Sequence, residues 1–315
     1  MKTIQSLFLI LAVTLVACND PLETPVKFNA SIEANSDVTT DSDGTISVPK
    51  GTKITFNFDG EPDFISFAYD IFKPTTAELS FTSTLNWANN PDNTLQLFVS
   101  RDFAGISRTN AASDLAIIQG HEWLNISSAC EFPTTQNGVQ TANISLNEYR
   151  GDSITLAFLY KTTDNTGLYQ PMWTISDLQI ENKLANTEVS TSKTTAVTMG
   201  FIPFDITKVQ IGDPYETNSS PGVWNLSDFS SLRIARTVRG GNLNEDWLIS
   251  RHVTIPRGRL EKGDAVAIKN MTNRVSSYTH TFDEEGEYTV TFRASNHNYK
   301  ANSSVEQVFR IMTNE

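Results

Sequence analysis

Apolar and polar side chains alternate along most of this chain, with the two-residue period of a β-strand that buries one face. The alternation is clearest in four segments, at residues 54–58, 95–99, 154–160 and 288–292. Turn-forming clusters of Asp, Asn, Ser, Gly and Glu separate the alternating segments, and only the stretch from Asp114 to Gln119 favours a helix. The pattern therefore predicts an all-β protein built from antiparallel sandwiches.

The N-terminal residues follow a different pattern. A lysine near the start precedes an apolar run from Leu7 to Val16, which is too short to span a bilayer and is typical of a cleaved secretory signal. The tetrapeptide LVAC that ends at Cys18 resembles the lipobox of bacterial lipoproteins, whose cysteine receives acyl chains such as palmitate. This resemblance implies a signal peptide at residues 1–17, a lipidated Cys18, and a short tether at residues 18–25.

Composition narrows the possible partners. The chain has a net charge of −12 and no basic block, which argues against nucleic-acid binding. It has two cysteines, and if Cys18 carries lipid, Cys130 has no intramolecular partner. We therefore expect packing, rather than disulfides, to hold the fold. The length left after the signal suits two domains, each with its own core.

The C-terminal segment resembles half of a known domain. Residues 278–296, YTHTFDEEGEYTVTFRASN, are similar to the second half of an immunoglobulin-like domain of the polycystic-kidney-disease (PKD) type. The residues that carry this resemblance are His280, Phe282, Gly286, Tyr288 and Val290. Residues 46–70 resemble the first half. The resemblance implies one discontinuous sandwich made of residues 26–72 and 270–315. In its strand, His280 is expected to pack and to make a backbone hydrogen bond. Independently of the resemblance, a tight turn after the acidic run is expected to give Gly286 a positive φ.

The segment between these two pieces has a resemblance of its own. The phrases at residues 77–105, 122–127 and 172–182 are similar to adhesin or choice-of-anchor jelly-roll domains, which are related in shape to galactose-binding sandwiches. The resemblance implies an inserted jelly-roll domain at residues 75–268. Its usual opening phrase, NEDWLIS, here comes last, so we expect the strand with Trp247 to pair near Leu79 and Phe81. Residues 183–222 are expected to form a loop-rich connection.

Taken together, the lipobox, these phrases and the total length resemble a family of Bacteroidetes surface lipoproteins whose domain has no known function. The resemblance implies a compartment and an architecture more than an activity. The expected location is the outer membrane, with a lipid anchor and a body that faces the cell exterior.

Motifs for catalysis are missing from the sequence. The chain contains no G-x-S-x-G and no H-E-x-x-H, and its four histidines are scattered. Acids such as those of Glu245-Asp246 are interpreted as solvated turn or strand-end residues. A structural calcium ion is an alternative use for loop oxygens, and its weak candidates are Asn90, Asp92 and Asp164. We therefore predict a non-catalytic protein that requires no cofactor.

Aromatic side chains offer candidates for sugar binding, because their faces stack on sugar rings beside amides and carboxylates. Three tryptophans lie in alternating strand phrases and are expected in the core, namely Trp123, Trp173 and Trp247. The candidates for a glycan-binding surface are those next to polar loops, namely Trp87, Trp224, Tyr169 and its neighbour Gln170.

Three functions remain open from the sequence. The leading hypothesis is a surface lipoprotein that binds a polysaccharide or oligosaccharide for an uptake system, with a TonB-dependent transporter complex as a partner; this rests on architectural analogy. The alternative is an adhesive or structural module that recognises a protein through an exposed apolar patch. The third is an unrecognised glycoside hydrolase, which would need two carboxylates facing each other in a cleft.

Overall fold

The structure is a computed structural model that describes residues 26–87, 91–162, 170–218, 222–234, 243–297 and 302–314. It is mostly β-strand, at 53%, with 10% helix, and this confirms the predicted all-β fold class. The predicted signal peptide, Cys18 and the predicted tether lie outside the described residues. No helix in the described ranges is long and apolar enough to cross a membrane.

The chain divides into two compact units. Unit 1 contains the described residues up to Lys73 and those from Leu260 onwards, and unit 2 runs from Pro74 to Arg259. The inserted domain was predicted to end at residue 268, nine residues later than unit 2 does. The reason is that Val266 and Ala267 pair with Phe67 and Ser66 of unit 1.

Unit 1 is built from two sheets. Its N-terminal strands are β1 (Asn29–Ile32), β2 (Thr39–Thr40), β3 (Ile46–Pro49), β4 (Lys53–Asp59) and the first part of β5 (Phe64–Asn86). Its C-terminal strands, numbered after those of unit 2, are β17 (Gly258–Lys262, most of it in this unit), β18 (Val266–Lys269), β19 (Ser277–Thr281), β20 (Gly286–His297) and β21 (Asn302–Asn314). One sheet has the order β1-β4-β19, and the other runs β5-β20-β21-β3-β2. Strand β21 is parallel to β3, which joins the two ends of the chain in one sheet.

The core of unit 1 lies between its two sheets and is aromatic. Phe56 from β4 packs against Phe292 from β20, with ring centroids 4.8 Å apart. His280 packs against Phe67 and Phe282, as the sequence predicted. Burial lowers the pKa of His280, so its neutral form is favoured within this cluster.

Gly286 has the positive φ that the sequence predicted, at 152°. A tight turn is not the only reason for a glycine here, because Gly286 begins β20 and lies against β5. A Cβ at this position would stand 2.7 Å from the carbonyl oxygen of Phe72. Both the backbone conformation and the close approach therefore require glycine.

Unit 2 also contains two sheets. Its further elements are β6 (Leu95–Ser100), α1 (Ala111–Gly120), β7 (Leu124–Asn125), β8 (Val139–Ser145), β9 (Ser153–Lys161), β10 (Met172–Leu184), β11 (Ser190–Thr195), α2 (Ala196–Met199), β12 (Ile202–Asp205), β13 (Trp224–Asn225), β14 (Ser231–Ile234), β15 (Glu245–Ile249) and β16 (Val253–Thr254). The second part of β5 lies between β8 and β10, and β14 and β13 follow β10. The other sheet has the order β12-β15-β9-β6-β7. Helix α1 confirms the helical segment predicted around Asp114.

The main core of unit 2 takes side chains from both sheets, such as Phe81 of β5 and Phe158 of β9, which meet edge to face. A second cluster covers the outer face of β9 with residues of α1, β12 and β15, including Trp247. Cys130 is a free, fully buried thiol in the main core, and burial raises its pKa to about 12.

Two sequence predictions about unit 2 are wrong. The strand with Trp247 pairs with β9 and β12 instead of with the region of Leu79 and Phe81, because β8 and β10 already occupy both edges of β5 there. Residues 183–222 are more regular than the predicted loop-rich connection. They include β11, which forms a hairpin with β10, and the edge strand β12.

Candidate functional site

The structure exposes one of the predicted glycan-binding residues, Trp87, and buries two others, Trp224 and Gln170. Trp87 follows β5 and is 43% exposed, at a left-handed φ of 58°. Trp224 was expected to be exposed, and this is wrong, because its side chain is fully buried in the core of unit 2. Its Nε1 donates to the backbone oxygen of Asp246, 3.4 Å away. Gln170 is also buried, and Tyr169 lies outside the described residues.

Of the three calcium candidates, the structure describes only Asp92. Asn90 and Asp164 lie outside the described residues, whereas Asp92 is exposed in a turn before β6. Within the described ranges, no group of three or more His, Cys, Asp or Glu side chains is placed to hold a metal ion.

A groove in unit 2 contains Asp92. It has a volume of about 520 Å³. Three short segments and one strand residue line it. The segments are the turn that leads into β6, the stretch from β7 through the following 3₁₀ turn (Ser127–Ala129), and the loop after Cys130. The lining residues are Pro91, Asp92, Asn93, Leu95, Asn125, Ser127, Ser128, Phe132, Pro133 and Thr134, together with Trp173 from β10. Grooves of this size accommodate small polar ligands or short stretches of a polymer.

Hydrogen bonds within the protein fix the walls of this groove. The Thr94 hydroxyl donates to the Pro91 oxygen at 2.6 Å and accepts from Nε1 of Trp173 at 3.0 Å, which ties the turn to β10. On the other wall, the Ser127 hydroxyl accepts from the backbone N–H of Leu97 at 2.8 Å, which ties the 3₁₀ turn to β6. The walls are therefore held by the two sheets of unit 2.

The groove combines an apolar ring with polar side chains. Phe132 is half-buried, and its ring and that of Trp173 meet edge to face, with ring centroids 5.7 Å apart. Around it, four exposed side chains take part in no hydrogen bond found among the described residues, namely Asp92, Asn93, Ser128 and Thr134. An aromatic surface next to carboxylate, amide and hydroxyl groups is the arrangement that binds sugars.

Sequence reasoning missed most of this groove. It singled out Asp92 for a metal, but it did not consider Ser128, Phe132 or Thr134. Phe132 offered a signal, because it is a large apolar residue that lies in a polar segment without strand alternation. The proximity of the three segments offered none, because they come together only through the sheet pairing.

A serine–histidine pair elsewhere in unit 2 looks like the start of a hydrolytic site. Oγ of Ser100 and Nε2 of His121 are 2.7 Å apart. However, the same Oγ accepts from the backbone N–H groups of Asp102 and Phe103, at 3.1 and 2.9 Å. The Asp102 carboxylate lies 3.7 Å from the same ring nitrogen, instead of orienting the ring through the opposite one. The geometry is that of a capped turn.

Two carboxylates face each other on adjacent strands of unit 2. Asp205 of β12 is directly opposite Asp246 of β15, and their side chains are 3% and 1% exposed. Sequence reasoning took Asp246 for a solvated acid, which is wrong. Burial and the neighbouring charge of Asp205 raise the pKa of Asp246 well above its usual range. Because both carboxylates are buried, a sugar chain does not reach them in this conformation.

Comparison with known proteins gives one match. The model of a family described as a domain of unknown function, DUF5017, matches residues 26–201, which include every described residue that lines the groove but neither Asp205 nor Asp246. No curated protein and no solved structure matches the chain. Since the match covers more than half of the sequence, the protein belongs to the DUF5017 family.

Proposed function

We propose that this protein is a non-catalytic, glycan-binding lipoprotein that uses the groove of unit 2 as its sugar site. The observation that carries the proposal is that four exposed polar side chains, which have no hydrogen-bond partner among the described residues, line the same groove as Phe132. Sugar recognition needs an apolar surface for the ring face and nearby donors and acceptors for the hydroxyls, and the groove offers both. The exposed Trp87, in the same unit, is a second aromatic candidate from the sequence.

The proposed location in the cell rests on the sequence. A lipid on Cys18 would hold the protein at the outer membrane, and the tether would leave the folded body in contact with polysaccharides outside the cell. Such a protein would concentrate glycan for an uptake system with a TonB-dependent transporter. In this proposal, unit 1, which contains the PKD-like segments, has a structural role. Unit 2, which contains the jelly-roll-like segments, binds the glycan.

A binding screen tests this proposal. The soluble body, residues 19–315, is passed through gels that contain plant, host or microbial polysaccharides, with and without calcium. We expect retardation by at least one glycan class. Ser128→Trp, which fills the groove, should abolish the retardation, whereas Ser113→Trp, which changes another exposed serine, on α1, should not.

The other outcomes separate the alternatives. Binding that survives Ser128→Trp but is lost in Trp87→Ala would place the sugar at Trp87 instead of in the groove. Failure of the folded body to bind any glycan would exclude the sugar-binding proposal and favour recognition of a protein partner.

A further inference from the structure

The residues that line the groove also indicate which glycans it takes. We propose, on the basis of the glycan-binding function above, that the groove selects uncharged glycan chains and rejects chains that carry carboxylates or sulfates. The proposal concerns the same site and narrows its ligand class.

The charge of the lining is the first argument. Among the described residues that line the groove, Asp92 is the only ionisable side chain, and none of them is Lys, Arg or His. A uronate or sulfate group bound there would meet a like charge without any cation to offset it, and like charges in a partly desolvated site repel each other strongly.

Hydrogen-bonding capacity is the second argument. The Asp92 carboxylate only accepts, so it needs ligand groups that donate, such as a pair of neighbouring sugar hydroxyls. Asn93, Ser128 and Thr134 each donate and accept, which suits hydroxyl groups that do the same. An anionic sugar substituent only accepts, and neutral donors hold it much more weakly than a guanidinium or an ammonium group does.

The charge of the whole chain acts in the same direction. A net charge of −12 gives the protein a negative field that slows the approach of anionic polymers, most strongly at low ionic strength. The local and the overall charges therefore both disfavour acidic polysaccharides.

Matched pairs of glycans test the proposal. Each neutral polysaccharide that the soluble body retains is compared with its carboxymethylated derivative, which has the same backbone and added carboxylates. At low salt we expect the neutral form to bind at least tenfold more tightly. Asp92→Asn should reduce this ratio three- to tenfold, whereas Glu122→Gln, which removes an exposed charge that does not line the groove, should leave it within twofold.

Each result leads to a definite conclusion. Equal or tighter binding of the carboxymethylated form by the wild-type protein overturns the proposal but leaves glycan binding intact. An unchanged ratio in Asp92→Asn also overturns it, because the selectivity would then not arise in the groove. If neither form of any glycan binds, the proposed function fails, and with it this inference.

Discussion

Two buried aspartates of unit 2 show how the same side chain acquires opposite properties. Asp246 has a carboxylate oxygen, Oδ2, that is buried and has no hydrogen-bond partner among the described residues. Asp114 is also fully buried, but its carboxylate accepts from the backbone N–H groups of Ser107 and Arg108, at 2.9 and 2.8 Å, and from the Tyr215 hydroxyl. Burial opposes the ionisation of Asp114, and the hydrogen bonds outweigh it, so the pKa of Asp114 is lowered.

For Asp246 we predict that the substitution Asp246→Asn stabilises the protein at neutral pH. The folded state keeps the pKa of Asp246 raised, so as pH rises above about 4, where the unfolded chain ionises, this residue makes unfolding more favourable. The gain should be about 1–3 kcal/mol at pH 7, because an amide cannot ionise and so avoids the cost of a buried charge beside Asp205, and the gain should shrink towards pH 4. Urea unfolding followed by tryptophan fluorescence between pH 4 and 8 measures it. A loss of stability at pH 7 would contradict this account.

The substitution Asp114→Asn should change the free energy of unfolding in the opposite direction, so each variant serves as the control for the other. An amide cannot accept all the bonds that the carboxylate accepts, and bonds to a charged group contribute about 1.5–3 kcal/mol each. We expect Asp114→Asn to lower the free energy of unfolding by about 3 kcal/mol at pH 7. Because the pKa of Asp114 is lowered, its stabilising contribution is present above about pH 4 and is lost on further acidification. If the difference in unfolding free energy between wild type and Asp114→Asn did not depend on pH, the charge of Asp114 would not contribute to stability.

At the scale of single elements, the start of β20 depends on Gly286. We predict that Gly286→Ala destabilises unit 1 by about 1–3 kcal/mol, because the added methyl group would stand against the carbonyl of Phe72. Gly44→Ala is the matched control. Gly44 also has a positive φ, of 84°, but no atom lies within 4 Å of its Cβ position. Thermal unfolding should therefore show the larger decrease for Gly286→Ala, and equal decreases would mean that the close contact has no cost.

The positions of strands and helices were predicted from the sequence more successfully than the pairing of the strands. Alternation is a local property, so strands such as β6 and β9, and helix α1, could be found without knowledge of the fold. The position of β15 could not, because pairing depends on which edges of β5 are free. The sequence around Asp246 did contain an indication that this residue is buried. Asp246 is two residues from the buried Leu248, and side chains two residues apart on a strand lie on the same face.

The candidate site was only partly predictable for the same reason. Asp92 lies in a polar loop that sequence reasoning marked, but the groove exists only because three separate segments meet on β6 and β10. Trp224 looked exposed because it follows a Ser-Pro-Gly turn. Its strand, β13, pairs with β14 and carries the indole into the core, a contact that no local pattern contains.

At the scale of the whole molecule, the two units make a prediction about folding. Unit 2 is continuous in sequence and has its own core, so residues 74–259 expressed alone should unfold cooperatively. Residues 26–73 alone should not, because most of their sheet partners, β19, β20 and β21, come from the other end of the chain. Differential scanning calorimetry of the two fragments tests this. A cooperative transition in the 26–73 fragment would show that the two ends fold separately.

The buried thiol of Cys130 has a practical consequence for measuring ligand binding. The described part of the chain has a single free thiol, and its burial and its pKa of about 12 keep it unreactive. A new cysteine introduced by Ser128→Cys would therefore react with a maleimide dye while Cys130 stays in place. A fluorophore at the wall of the groove would then report directly, in solution, whether a sugar occupies it.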